Sequence, residues 1–292
     1  MKKILAIVVL LGLTACSGVR ISQNDNPKKP LNVTASFYPL AYLAQRIGGD
    51  LVQVNQITPG GVEPHDYEPT PQDLIAIQNS KVFIINGYGI DAWADKIIDD
   101  LPGKGVLVVK ATDKIENIID SHVWLDPNYF KKEAEVVRDI LIIADPANTA
   151  AYKLNTAGLT SDLTALDQEY RNGLAKCAIK EIITSHDAFN YLAKEYGFTS
   201  LAIAGLSPDE EPSPKHLAEL AYLAKKNNIK YIFFETLLSP KLSNTIAKEI
   251  GAKSLALNPI EGLNSEETAK SEDYLVLMQQ NLKNLRIAML CK

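Results

Sequence analysis

Cysteine is scarce in this chain: three in 292 residues, at positions 16, 177 and 291, with no Cys-x-x-Cys pair. That spacing argues against thiolate metal sites and dithiol redox motifs. Histidine is scarce too, with four. No His-Glu-x-x-His cluster is present, and Pro59-Gly60-Gly61 lacks a following Lys-Ser/Thr, so it is a turn rather than a phosphate cradle. A formal net charge of −5 with interspersed signs leaves no basic stripe and argues against nucleic acid as a partner. Beyond the first residues, no run is long and apolar enough to span a bilayer.

What is present begins at the N-terminus. Lys2 and Lys3 precede an apolar run over 4–13, and Leu13-Thr14-Ala15-Cys16 follows. A basic start, a short apolar core and small residues at the cut describe a secretory signal over 1–15. Leu-Thr-Ala directly before Cys16 resembles the bacterial lipobox, so acylation of Cys16 is expected. The plainer alternative is a cleaved signal with an incidental cysteine. Diacylglycerol on that sulfur would make 16–30 a polar tether to the membrane. Cys177 and Cys291 remain. In an oxidising compartment they are either a disulfide or two buried thiols, because sequence does not give their separation.

After such a cut about 275 residues are left, enough for two α/β lobes with cores of their own. Strands are predicted over 31–37, 51–58, 81–86 and 105–110, and helices over 39–47, 71–79 and 92–101. Strands alternating with helices at this spacing imply βαβ units and a mostly parallel sheet. From 127 to 174 the strand signal is lost. A helix over 128–143 breaks at Asp145-Pro146-Ala147-Asn148, and 149–174 then keeps Tyr152, Leu154, Leu159, Leu163, Leu166 and Tyr170 at helical spacing. At 1.5 Å per residue this helix is roughly 39 Å long. The βα pattern resumes with strands over 178–184, 200–204, 231–235 and 254–257 and helices over 188–196, 214–226, 240–250 and 272–290. The predicted fold is α/β: two similar lobes, 31–148 and 177–292, each a mostly parallel sheet flanked by helices, joined by one long rigid helix over 149–176.

Three histidines follow predicted strands: His65 in Glu63-Pro64-His65-Asp66-Tyr67, His122 in Ser121-His122-Val123-Trp124-Leu125-Asp126, and His186 in Ser185-His186-Asp187. Open α/β sheets bind ligands beyond the carboxyl ends of their strands. Neutral imidazole is the commonest protein ligand for zinc. His65, His122 and His186 are therefore candidate ligands of a metal held between lobes. Singly, each is better explained by a structural role in packing; the joint context of the three reverses that reading. His216, on an amphipathic segment, reads as a surface residue. Asp66, Asp126 and Asp187 read as caps or solvated acids. Asp187 is placed to cap the next helix, and Asp126 is the best candidate to orient an imidazole from behind. Trp124 and Tyr67 read as packing that dries the site.

In order, the chain carries 31–36 with Phe37-Tyr38-Pro39-Leu40, Pro59-Gly60-Gly61-Val62-Glu63-Pro64-His65-Asp66-Tyr67-Glu68-Pro69, His122-Val123-Trp124-Leu125-Asp126-Pro127, Ser185-His186-Asp187-Ala188-Phe189 and Glu211-Pro212-Ser213-Pro214. These segments resemble the zinc- and manganese-uptake solute-binding lipoproteins of bacterial ABC transporters, and the likeness runs from residue 31 almost to the C-terminus. The resemblance implies a non-enzymatic, monomeric protein at the periplasmic or outer face of the cell membrane, lipid-anchored. It would capture Zn²⁺ as transported ligand, with Mn²⁺ or iron the alternative. It would pass the ion to an ABC permease with a cytoplasmic ATPase. The resemblance further implies that His65, His122 and His186 bind the metal with a fourth ligand from the second lobe. In this family a glutamate at the third position goes with manganese; His186 points to zinc, which imidazole suits better than a hard cation. Many members place an aspartate in a Leu-Asp-Pro context as fourth ligand, where this chain has Leu257-Asn258-Pro259. Asn258 either ligates, holds a water or stands aside, and an open fourth position is expected. Glu235 and Glu63 are carboxylates able to substitute or to stand behind a ligand. The histidine-rich loop of many zinc members is absent between 66 and 121.

Two other classes compete. Three histidines with an open fourth position also describe catalytic zinc, with Glu235 as a base, which would make the chain a metallohydrolase. A purely structural or adhesive lipoprotein is the third. Turnover of an ester or phosphate would favour the first rival; tight metal binding without turnover favours the transport component.

Overall fold

The computed structural model describes residues 29–292. Cys16, the predicted signal and all but the end of the tether lie outside the described residues. Two four-stranded parallel sheets form the framework. The first runs β2 (Val52–Gln56), β1 (Leu31–Ala35), β3 (Val82–Ile85), β4 (Leu107–Lys110). The second repeats that order with β6 (Thr199–Ala202), β5 (Glu181–Thr184), β7 (Tyr231–Phe234) and β8 (Lys253–Ala256). The Val-Phe-Ile-Ile run of β3 is buried along its whole length, as expected of a strand covered on both faces.

Helices enclose the sheets: α1 (Tyr38–Gly48), α2 (Pro71–Gln78) and α3 (Pro127–Ala144) with the first, and α5 (Asn190–Tyr196), α6 (Pro214–Lys226), α7 (Lys241–Ile250), α8 (Ser265–Ala269) and α9 (Tyr274–Ala288) with the second. Their starts follow local chemistry. Thr70 and Asp73 close a capping box on α2, with Pro71 in its first turn. Asp273 caps α9 by accepting from Val276 N–H. The joining helix α4 spans Thr149–Leu174, 26 residues. It buries Tyr152, Thr156, Leu159, Leu163, Leu166, Tyr170 and Leu174 in one stripe. Leu154, expected on that stripe, is 73% exposed. No helix among the described residues is long and apolar enough to cross a membrane.

The core is continuous across α4. Phe130 of α3 stacks on Tyr274 of α9 with ring centroids 4.2 Å apart, and the Tyr170 hydroxyl of α4 donates to Met278 O at 2.7 Å. Cys177 and Cys291 form a disulfide that ties the entry of the second lobe to the end of α9.

The helix predicted over 92–101 shrinks to a 3-10 turn, Ala92–Lys96. The buried Asp91 carboxylate, which accepts from Ser36 Oγ and the backbone of Asn86 and Gly87, fixes the chain just before it. The short helix α8 has a complete Asn264/Glu267 capping box, a signal present in Asn264-Ser265-Glu266-Glu267 that periodicity over so few residues does not reveal.

Glu133 of α3 is fully buried, and neither carboxylate oxygen has a hydrogen-bond partner among the described residues. Burial therefore holds its pKa well above the usual carboxylate value. The unfolded chain ionises Glu133 near its ordinary value, whereas the folded chain keeps it protonated. The stability this group contributes is present below about pH 4.5 and is lost as pH rises towards the folded pKa. Glu133→Gln should leave Tm little changed at pH 4 and raise it at pH 8, by about 2–4 °C per kcal/mol recovered. Thermal melts across pH in the presence of a chelator check this; a gap independent of pH would contradict it.

Candidate metal centre

Four donors converge from four strand ends. His65 sits in a 3-10 turn, Pro64–Asp66, after β2, and the Glu63 side chain that caps this turn accepts His65 N–H at 3.3 Å. His122 follows β4 and opens the turn Val123–Leu125. His186 lies just beyond β5, and Glu261 comes from the loop after β8. This is where parallel α/β sheets place their ligands.

The Nε2 atoms of His65 and His122 are 3.2 Å apart, as are those of His186 and His122. Glu261 Oε1 lies 3.1 Å from His122 Nε2, 3.4 Å from His186 Nε2 and 3.7 Å from His65 Nε2. A tetrahedron with metal–nitrogen bonds of about 2.0–2.1 Å has edges of roughly 3.3 Å, so the four donor atoms have the spacing of a tetrahedral zinc shell. His122, His186 and Glu261 are fully buried, while the His65 side chain keeps 9% of its surface.

Each buried imidazole is held from behind. His122 Nδ1 lies 2.7 Å from Asp120 Oδ1, and the same oxygen accepts His122 N–H at 2.7 Å. His186 Nδ1 lies 2.7 Å from Glu235 Oε1, which also accepts His186 N–H at 3.1 Å. With Nδ1–H given to a carboxylate, the Nε2 lone pair faces the centre. Without metal, burial opposes charge on both rings. The carboxylates outweigh it: Asp120 and Glu261 raise the pKa of His122, and Glu235 and Glu261 hold that of His186 well above the ordinary imidazole value. Burial would raise Glu261, but the surrounding histidines, His186 foremost, hold it well below the carboxylate range. Glu63 is pushed up to about 9 by burial and by the charge of Glu261.

The sequence-derived candidates divide accordingly. His65, His122 and His186 are brought together. Asn258 is not among the converging donors: its Nδ2 donates to Glu267 Oε1 at 2.8 Å and its Oδ1 accepts Ile260 N–H at 2.7 Å. The expectation of an open fourth position is corrected, because Glu261 stands there. Glu235 stands behind His186 rather than in the shell. Asp126 instead caps α3, accepting Asn128 N–H at 2.8 Å, and among the described residues Asp120 takes the place behind His122 that was expected of it. Asp187 is not a cap, since α5 begins at Asn190 with Phe189 before it. Trp124 is fully buried 5.2 Å from the His122 ring, whereas Tyr67 donates to Asp73 at 2.7 Å beside α2. His216 is half-buried, its Nε2 2.8 Å from Ala202 O. Sequence reasoning missed Glu261 and Asp120. For Glu261 a signal exists: it follows the fourth strand of its sheet, as His122 follows the fourth strand of the other.

The family model for ZnuA, zinc-uptake complex component A periplasmic, matches residues 33–288. The zinc-binding lipoprotein AdcA of Streptococcus pneumoniae is 38% identical over 98% of this chain, which spans 61% of that longer protein. The high-affinity zinc uptake system protein ZnuA of Bacillus subtilis is 37% identical over 98% of this chain and 95% of its own length. The crystal structure of the Zn(II)-bound ZnuA-like domain of Streptococcus pneumoniae AdcA superimposes with a TM-score of 0.80 at 39% identity, covering 89% of this chain and 99% of that one.

If Asp120 and Glu235 orient the imidazoles, Asp120→Ala and Glu235→Ala should each weaken metal binding about 10–100-fold. Asp126→Ala should cost stability through the lost cap, about 1 kcal/mol, and leave affinity within twofold. Chelator competition and thermal melts on the same preparations separate the two effects.

Proposed function

This chain belongs to the zinc-uptake complex component A family, and from that premise we propose that it is the extracytoplasmic binding component of an ABC importer whose cargo is Zn²⁺. The observation that carries the reading is the donor set: three imidazoles and one carboxylate at tetrahedral spacing, formed from both lobes. His65, His122, His186 and Glu261 hold the ion. Manganese, which favours oxygen-rich octahedral shells, fits three imidazoles poorly. Because Glu261 takes the fourth position, no site is left for the activated water that a zinc hydrolase requires, which supports capture rather than catalysis. The ion enters past His65, the donor that meets solvent, and leaves to a membrane permease served by an ATPase.

The proposed division of the chain is a signal over 1–15, a tether over 16–30, lobes over 31–148 and 177–292, and the joining helix over 149–176. Cys16 carries the lipid that keeps the protein at the outer face of the membrane. The naming of the pneumococcal relative as a lipoprotein supports this.

Competition titration with metal analysis should find one Zn²⁺ per chain, bound in preference to Mn²⁺. His65→Ala, His122→Ala, His186→Ala and Glu261→Gln should each weaken it at least tenfold, with His216→Ala within twofold of the parent. Preferential Mn²⁺ retention, or a stoichiometry far from one, would overturn the assignment.

Cys16→Ser should abolish lipid labelling and move the protein from the membrane fraction to the medium or periplasm with zinc affinity intact. Retention on the membrane would show another anchor.

A further inference from the structure

Ile260, the residue before Glu261, is fully buried and has φ of +59°. A β-branched side chain in the left-handed region is strained and persists only when its surroundings over-determine it. The surroundings here are a polar clamp. Asn258 Oδ1 accepts Ile260 N–H at 2.7 Å, and Asn258 Nδ2 donates to Glu267 Oε1 at 2.8 Å. Glu267 Oε2 accepts Asn264 N–H at 2.8 Å, on the far side of Glu261 in the same loop. Asn281 of α9 closes the clamp: its Oδ1 accepts Asn258 N–H at 2.8 Å and its Nδ2 donates to Asn258 O at 2.7 Å. Between these bonds, Pro259 O accepts Trp124 Nε1–H at 2.8 Å. Asn258, Asn281 and Glu267 are 4%, 2% and 6% exposed, so the bonds among them and to Ile260 are shielded from water, while the one from Asn264 is partly buried.

We propose that Asn258, with Glu267 and Asn281, is a positioning group for metal capture: it locks Ile260 in the left-handed region and so holds the Glu261 carboxylate at the fourth donor position. This rests on the reading of Glu261 as a donor. The physical logic is pre-organisation. Relaxing φ at Ile260 to the ordinary negative range would turn the following residue and swing the Glu261 side chain off the three Nε2 atoms. A carboxylate that has to find its place during binding loses conformational freedom at that moment, whereas one already clamped does not. Asn suits the corner because it accepts and donates at once. An aspartate there would set one carboxylate against that of Glu267.

The test is a double-mutant cycle read by chelator competition for Zn²⁺ and by the visible spectrum of the Co²⁺-loaded protein. Asn258→Ala should weaken Zn²⁺ binding about 10–100-fold, the range for groups that orient ligands. Combined with Glu261→Gln it should add less than twofold to the loss from Glu261→Gln alone, because both act through the same carboxylate. The Co²⁺ spectrum of Asn258→Ala should move towards that of Glu261→Gln. Asn258→Asp should bind more weakly than the parent. Asn258→Asp/Glu267→Gln, which exchanges donor and acceptor, should recover most of the affinity.

Additive losses, or a folded Asn258→Ala that binds within twofold of the parent, would overturn the positioning role. Should Asn258→Ala fail to fold, the aspartate pair decides, and lack of recovery in the double variant overturns the proposal. If Glu261→Gln is itself without effect, the reading of Glu261 as a donor falls. If Glu261→Gln weakens binding while Asn258→Ala does not, only the positioning role falls.

Discussion

The Glu261 carboxylate, fully buried within 3.7 Å of three imidazole nitrogens, is the interaction on which the centre of this molecule depends. A carboxylate taken out of water is costly unless positive charge meets it. Here that charge comes either from protons on His122 and His186 or from a divalent cation, and the geometry serves both. Asp120 and Glu235 extend the arrangement outward. They pull imidazole protons to Nδ1, so that the inner nitrogens are free when a cation replaces the protons. On the proposed reading, a cation bound at these nitrogens displaces their protons, so its affinity falls as pH falls.

The long helix joins the two lobes through one shared core. The aromatic side chains Tyr42, Phe130, Tyr170 and Tyr274 belong to helices before, within and after α4, yet they share one core. Trp124 joins this core to the centre, its indole N–H bonded to Pro259 in the Glu261 loop and its carbonyl accepting the Tyr274 hydroxyl at 2.6 Å. His122 and Glu261 are thus connected through protein as well as across the site.

The fold was largely legible. Alternating strands and helices, the break at Asp145-Pro146 and the periodic stripe of α4 are local signals, and α4 and α6 begin and end where periodicity and proline place them. The three histidines were legible because each has a specific sequence neighbourhood. Glu261 was not: the Leu257-Asn258-Pro259 motif pointed to Asn258 or an open position, and nothing local distinguishes the glutamate three residues further on. Which of two nearby polar residues faces a cavity is set by one backbone dihedral, and φ at Ile260 is held by Glu267 and Asn281, both distant in the pattern. Asp120 shows the same limit. It reaches His122 from two residues before it, where local reasoning preferred the acid four residues after. The disulfide was undecidable from composition, because 114 residues separate its partners.

That bridge makes the second lobe a closed covalent ring, with α4 as its stalk. In the chain-entropy picture a loop of this size removes about 4–5 kcal/mol of freedom from the unfolded chain. It also changes what a break in the backbone means. A single protease cut anywhere between Cys177 and Cys291 opens the ring without releasing a fragment, so His186 and Glu261 remain on one covalently joined body. A nicked molecule keeps all its donors attached to one another until the sulfur–sulfur bond is reduced.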